Sequence, residues 1–299
     1  MHLFLPLSAA IVYVDAALLL KRASDLGADV WRSTRIINYT QALLAVPFWL
    51  LGGTIPSSSL WWQPVVAGAL FFAGQVFTLL ALTTGDVSVA TPVLGLKIVL
   101  VALLSVVLIG DPIGARLWTA AALSSIAITL LNLSPGHSHR RVARTIVLAA
   151  LGAAAYASFD VLVQKFSPVW GTGRFLPLAM ACGAAYSIAL PKGRGVRSAD
   201  LKVGRDNESR PYSSWLAAGA MCFAVQGLMF MSAVSIYRQV TSANVLYSSR
   251  GLWSVVGVWA VGHWFTNREQ HLGARVLAWR LIGAILLLAA IVMVLLDSR

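Results

Sequence analysis

The chain has 299 residues, of which 58% are hydrophobic and only 11% are charged. Soluble domains carry about a quarter charged residues, whereas here the stretches between the charges run to about 20 apolar residues, long enough to cross a bilayer as a helix. The composition excludes a soluble globular enzyme, a disordered chain and a secreted disulfide scaffold. It predicts an all-α integral membrane protein with many spans.

The net charge of +12 arises from 23 Lys and Arg residues against 11 Asp and Glu residues. In a soluble protein this excess favours nucleic-acid binding. In a membrane protein, basic loops instead face the anionic headgroups of membrane lipids. Because the basic loops contain no recognisable nucleic-acid-binding module, we expect membrane lipids and no nucleic acid as partners.

In chain order, a hydropathy window of about 19 residues predicts ten transmembrane helices. These are Leu3–Leu20, Ile36–Leu51, Pro64–Thr83, Val87–Ile109, Leu117–Leu133, Thr145–Val163, Phe175–Leu190, Trp215–Ile236, Val240–Trp264 and Val276–Leu296. The loops are short and polar except for the basic loop 191–211, whose simplest role is an orientation signal. Its charge places it outside the hydrocarbon.

Ten helices divide into two five-helix repeats, residues 1–135 and 136–299, which together form one membrane domain. The segment Phe72–Gln75 (Phe-Ala-Gly-Gln) in the third span matches Phe223–Gln226 (Phe-Ala-Val-Gln) in the eighth. An odd number of helices per unit gives the two copies opposite orientations. The sequence therefore predicts a 5+5 inverted repeat.

The loop charges predict the orientation. With loops numbered from the N-terminus, the odd-numbered loops hold most of the Lys and Arg residues. The even-numbered loops hold only Arg116, Lys165, Arg174 and Arg238. Since Lys and Arg are enriched in cytoplasmic loops, the odd loops are predicted to be cytoplasmic and both termini external.

Two cations lie inside otherwise apolar spans, at matching places in the two repeats: Lys97 in the fourth span and Arg250 in the ninth. Each costs about 2.5–3.5 kcal/mol at the bilayer centre unless it is paired or hydrated, so both should face the bundle interior. Asp15 in the first span and Asp160 in the sixth are the candidate partners, or carriers of a coupling proton. The alternative is that these aspartates neutralise the cations permanently and only fix helix register.

Uncharged polar residues occur at similar depth in the second, third, eighth and ninth spans. They are Asn38, Gln75, Gln226 and Tyr247. We predict a polar chamber between the repeats, where the two cations hold the anionic group of a substrate and these four residues add hydrogen bonds.

Several catalytic signatures are missing. The five histidines lie at span ends or in loops, and none has acidic residues at metal-ligand spacing. The sequence contains no Walker A motif and no Gly-rich phosphate loop. We therefore predict no enzyme activity, no cofactor and no metal. An intramembrane enzyme and a non-transporting accessory protein are the alternatives.

The stretch Ala81–Val93 (Ala-Leu-Thr-Thr-Gly-Asp-Val-Ser-Val-Ala-Thr-Pro-Val) and its continuation through Leu103–Asp111 carry a family resemblance. They are similar to the passage from the third to the fourth helix in EamA-like members of the drug/metabolite transporter superfamily. Arg35 also falls where that family commonly has an arginine in its second helix. The resemblance implies alternating-access transport, often export, of small metabolites across the plasma (inner) membrane from a cavity lined by both repeats.

The resemblance also implies cytoplasmic termini, which is opposite to the charge bias, so orientation and transport direction stay open. The resulting hypothesis is a multi-pass secondary-active transporter, an exporter, of a small anionic or zwitterionic metabolite. Flipping of a lipid or lipid-linked substrate is a variant of it. A homodimer is one of the oligomeric states that the sequence leaves open.

Overall fold

A computed structural model describes residues 3–84, 90, 93–110, 112–131, 142–191, 212–253 and 274–297. The described residues form helices and no β-strand, which confirms the all-α fold. In chain order the helices are α1 (Phe4–Asp25), α2 (Val30–Ala45), α3 (Trp62–Thr84), α4 (Lys97–Leu104), α5 (Ala115–Leu131), α6 (Val142–Trp170), α7 (Thr172–Ser187), α8 (Ser213–Tyr237), α9 (Val240–Tyr247) and α10 (Ala274–Asp297).

Within the residues that the structure describes, four helical segments are long and apolar enough to cross a membrane. They are Phe4–Asp25, Ser58–Leu82, Ala143–Trp170 and Ser213–Tyr237. The length and apolar composition of these helices are those of membrane-spanning helices. Several sequence features lie outside the described residues: most of the basic loop 191–211, the middle of the family-like stretch at 85–89, Asp111, and the ninth span beyond residue 253.

Several helices extend beyond their hydropathy boundaries, and α2 and α6 extend the furthest. Helix α2 begins at Val30, six residues before the predicted Ile36, because the Asp29 side chain accepts a hydrogen bond from the Arg32 amide at 2.9 Å and caps the helix. Helix α6 continues to Trp170 rather than ending at Val163. Hydropathy does not detect these turns, because polar residues in a helical end lower the local average without breaking the helix.

The two helices that carry the midplane cations are interrupted. A turn at Leu96 separates the helical residues 93–95 from α4, which begins at Lys97. Helix α9 ends at Tyr247, and the chain is helical again at 250–253 after a turn at 248–249. Each cation therefore directly follows a break in its helix.

Small residues let the helices approach closely. A Cβ at Gly74 of α3 would lie 2.8 Å from the Tyr156 ring of α6, and one at Gly152 of α6 would lie 2.8 Å from the Thr78 hydroxyl of α3. Helix α3 also packs on α7, α1 packs along α8, and α5 packs along α10. Such contacts supply the van der Waals packing that holds helices together in lipid, where the hydrophobic effect does not.

The end of the bundle that carries the even-numbered loops, which we call the even-loop face, is held together by contacts of the second and sixth loops. The Thr54 amide donates to the Trp170 carbonyl at 2.9 Å, and the Arg174 guanidinium lies 4.4 Å from the centre of the Trp49 ring. The Thr172 and Ser235 hydroxyls are 2.6 Å apart. The second and sixth loops and the end of α8 are thereby joined on this face.

Arg35 binds the C-terminal end of α7 from the neighbouring α2. Its Nη2 donates to the Leu190 and Pro191 carbonyls, both at 3.0 Å, and its Nε donates to the Ser187 carbonyl at 3.4 Å. The last carbonyls of a helix lack partners within the helix, and a cation there also interacts favourably with the helix dipole. Arg35 thus has a structural role at the opposite end of the bundle from the even-loop face.

Replacing Gly53 with alanine should destabilise the even-loop face. Its φ is +124°, and a Cβ there would overlap the Trp170 carbonyl oxygen, whereas Gly52 has φ +73° with open space around it. We expect Gly53→Ala to lower the free energy of unfolding by about 2 kcal/mol more than Gly52→Ala. Thermal melts of the two purified variants check this, and equal melting temperatures would contradict the packing.

Removing the Arg35 guanidinium should destabilise the α2–α7 contact. We expect Arg35→Gln to lower the free energy of unfolding by about 2 kcal/mol, since carbonyls at the end of α7 lose a charged donor. Lys21→Gln is the matched control, because Lys21 is exposed. Melting curves of both variants in one detergent would show the difference, and a control shift as large as that of Arg35→Gln would refute it.

Candidate functional site

An ion pair joins α4 to α6 inside the bundle. Lys97 Nζ lies 2.7 Å from Asp160 Oδ2, with the side chains 16% and 4% exposed. Lys97 is twelve residues from Ile109, where its helical segment ends at the even-loop face, which is about 18 Å along a helix. That depth is close to the middle of a hydrocarbon core about 30 Å thick.

Asn244 of α9 forms a hydrogen bond with the same Asp160 carboxylate. Its Nδ2 donates to Asp160 Oδ2 at 2.9 Å and to the Val240 carbonyl at 3.0 Å. The Val240 amide in turn donates to Gln164 Oε1 of α6 at 2.7 Å. Asn244 was not predicted as a site residue. A polar side chain in an apolar span, three residues before Tyr247, was the signal that could have identified it.

Four aromatic rings, which we call the aromatic box, surround the two cations: Tyr13, Tyr156, Phe230 and Tyr247. Lys97 Nζ lies 5.6 Å from the Tyr156 ring centre and 5.5 Å from that of Phe230. The Phe230 and Tyr247 ring centres are 4.7 Å apart, so one pair of rings connects the surroundings of both cations.

Arg250 is held by aromatic faces. Its guanidinium carbon lies 4.7 Å from the Tyr13 ring centre and 4.6 Å from that of Tyr247. In the described part of the chain, no carboxylate lies within ion-pair distance of Arg250, whereas Lys97 has Asp160. The two cations therefore differ: Lys97 is neutralised by a carboxylate, whereas the described neighbours of Arg250 are the two tyrosines.

The four uncharged polar residues separate into two hydrogen-bonded pairs. The Tyr247 hydroxyl donates to Gln226 Oε1 at 2.7 Å and lies beside Arg250. Asn38 Nδ2 donates to Gln75 Oε1 at 2.8 Å and joins α2 to α3. All four side chains are buried. The first pair belongs to the cation cluster, and the second forms a separate helix contact.

The sequence predicts Asp15 as a candidate partner for Lys97 or Arg250, but the structure does not place it beside either cation. Its side chain is exposed, and the described residues contain no cation within ion-pair distance of it. The reason is helical rotation: Tyr13 faces Arg250, and a residue two positions further along a helix points about 200° away. The ion pair of Lys97 thus involves Asp160, and Asp15 lies on the outer side of α1.

Gln41, one turn beyond Asn38 on α2, has a buried amide without a partner. The side chain is 1% exposed, and neither its Nε2 nor its Oε1 has a hydrogen-bond partner among the described residues. It packs against Gly227 of α8, where an added Cβ would lie 2.6 Å from Nε2. A buried unsatisfied amide costs about 1–3 kcal/mol, so this group is available to a bound solute or water.

No family model matches the sequence, and no curated protein matches it. A solved structure, described only as the crystal structure of a protein, superposes with a TM-score of 0.73 at 17% identity, covering 100% of this chain and 97% of the other. At that identity the similarity shows the fold alone. The superposition covers the whole chain, so its overall fold is one that a solved structure also has.

Breaking the ion pair on one side should destabilise the protein strongly. We expect Lys97→Met or Asp160→Leu alone to lower the free energy of unfolding by about 3 kcal/mol or more, because each leaves a buried charge unpaired. The double variant should recover much of this loss, since it removes both charges. A double-mutant cycle from thermal melts measures the coupling.

Asp15→Asn is the control for this cycle, and we expect it to leave the melting temperature unchanged. Additive effects of the two single substitutions would contradict a coupled pair.

Proposed function

We propose that the chain is a secondary-active transporter of a small anionic or zwitterionic metabolite, an exporter, working by alternating access around a midplane cavity. The observation that carries the proposal is Arg250, a cation at bilayer depth that lies on aromatic faces and has no carboxylate partner among the described residues. Beside it, Lys97 is already neutralised by Asp160.

An anionic substrate group would complete the surroundings of Arg250. A charge at the bilayer centre costs about 2.5–3.5 kcal/mol, and a desolvated cation–π contact recovers about 2 kcal/mol. The guanidinium keeps its planar array of N–H donors, which suits carboxylate and phosphate oxygens. The Tyr247 hydroxyl, bonded to Gln226, adds a polar group for the rest of a solute.

Lys97 and Asp160 supply a means of coupling. An anion that binds Lys97 releases the Asp160 carboxylate, which then takes up a proton or a cation to stay neutral at this depth. The Asn244 amide remains bonded to that carboxylate and holds it near α9. Substrate binding and proton uptake at one ion pair would thus be linked, as a coupled carrier requires.

The interrupted helices support alternating access. Transporters commonly form their binding sites where helices are broken near the bilayer midplane, and Lys97 and Arg250 each directly follow such a break. The ten spans, the 5+5 inverted repeat and the multi-pass plasma (inner) membrane location belong to this proposal. The resemblance of the central stretch to drug/metabolite transporters supports them.

The first test is the thermal stability of the purified protein against a library of small anionic and zwitterionic metabolites. A ligand at about 100 times its Kd adds about 2.7 kcal/mol to the folded state. We expect wild type to be stabilised by a class of anionic metabolites and Arg250→Gln to lose that response. Arg116→Gln, an exposed cation at the start of α5, should respond as wild type does.

Uptake of the stabilising metabolite into proteoliposomes then tests transport itself. The proposal fails if Lys97→Ala and Arg250→Ala both transport at the wild-type rate. It also fails if no solute stabilises the wild-type protein and no flux is measured.

A further inference from the structure

A cavity with basic and apolar walls opens on the even-loop face. It has a volume of about 270 Å³ and is lined by Leu108, Ile109, Gln164, Lys165, Pro168 and Arg238. These residues belong to the π-helical turn 105–109 that follows α4, to the last turns of α6, and to the junction between α8 and α9. We call it the loop-face cavity, and it is separate from the aromatic box.

Two of the four basic residues in the even-numbered loops line this cavity, although Lys165 and Arg238 are far apart in sequence. Lys165 Nζ donates to the Leu108 carbonyl at 2.8 Å. This bond fixes the ammonium group at the cavity and leaves two N–H donors for a ligand. The fold thus concentrates positive charge at one point of a face that has few cations.

The backbone conformation of Arg238 places this residue at the turn between α8 and α9. Its φ of +55° makes it the left-handed residue that ends α8 and turns the chain into α9. Its side chain makes no hydrogen bond or ion pair within the described ranges, and no carboxylate there lies within ion-pair distance of Lys165. Both cations therefore have donors available at the cavity.

A polar connection leads from this cavity towards the midplane. Gln164 lines the cavity and lies one helical turn from Asp160 on α6. Gln164 accepts from the Val240 amide, and Asn244 bonds both the Val240 carbonyl and Asp160. An anion held at the cavity would lie next to the groups that fix α9 to the ion pair.

We propose that the loop-face cavity binds an anionic oxygen group, phosphate or carboxylate, between Lys165 and Arg238. The group comes either from a free solute or from the headgroup of an anionic phospholipid. The cavity lies at the helix ends, where headgroups lie, and Leu108, Ile109 and Pro168 provide an apolar wall. The site goes beyond the proposed transport, because binding here requires no translocation.

The test measures thermal stability in nanodiscs. In one arm, discs of phosphatidylcholine receive inorganic phosphate or succinate at constant ionic strength, with chloride as the balancing salt. In the other arm, phosphatidylglycerol is added to the discs. The variants are Arg238→Gln and the double variant Lys165→Gln/Arg238→Gln, and Arg116→Gln is the control for a cation on the same face outside the cavity.

We expect wild type and Arg116→Gln to be stabilised in at least one arm, and the double variant to show about tenfold weaker apparent affinity because charged donors are lost. A response to phosphate or succinate identifies a solute site, and a response only to phosphatidylglycerol identifies a headgroup site. Arg238→Gln keeps the Lys165–Leu108 bond, so its loss of response separates ligand binding from misfolding.

Arg250→Gln should keep the full response, which distinguishes this site from the midplane cluster. The proposal is overturned if neither arm stabilises wild type, or if the double variant responds as wild type does. It is also overturned if Arg116→Gln loses as much affinity as the double variant.

Discussion

A charge at bilayer depth must be compensated within the bundle, and the Lys97–Asp160 ion pair is where this constraint acts. It joins α4 in the first half of the chain to α6 in the second. Asn244 extends the same contact to α9, and Gln164 holds the first turn of α9 against α6. One buried carboxylate therefore sets the relative positions of three helices, two of which are interrupted beside the site.

The two midplane cations are stabilised by different means, and the difference gives the site its chemistry. Lys97 has a carboxylate, and Arg250 has two aromatic faces. A buried ion pair contributes little net stability, so the effect of this pair is to position α4 against α6. Because Phe230 and Tyr247 connect the two cations, an anion bound at Arg250 would change the electrostatic surroundings of the ion pair.

The fold class could be predicted from composition and hydropathy, and the helices lie where the apolar stretches are. The boundaries were less predictable. Helix α2 begins at Val30 because of the Asp29 cap, and α6 runs on to Trp170 through polar residues. The break beside Lys97 carries no hydropathy signal, since Val93, Leu94 and Leu96 are apolar, whereas the break beside Arg250 falls on two serines. Caps and breaks depend on hydrogen bonds between particular atoms, which an average over residues does not contain.

The sequence by itself determined that helices form, that they are apolar enough for a membrane, and that Lys97 and Arg250 must face the interior, because these follow from the local cost of exposing charge to lipid. Only the tertiary structure decided that Asp160 pairs with Lys97, that Asp15 points outward and that Asn244 joins the site. The physical reason is that an ion pair or hydrogen bond requires contact between side chains. Contact between helices depends on their rotation and packing, which the hydropathy of a single span does not specify.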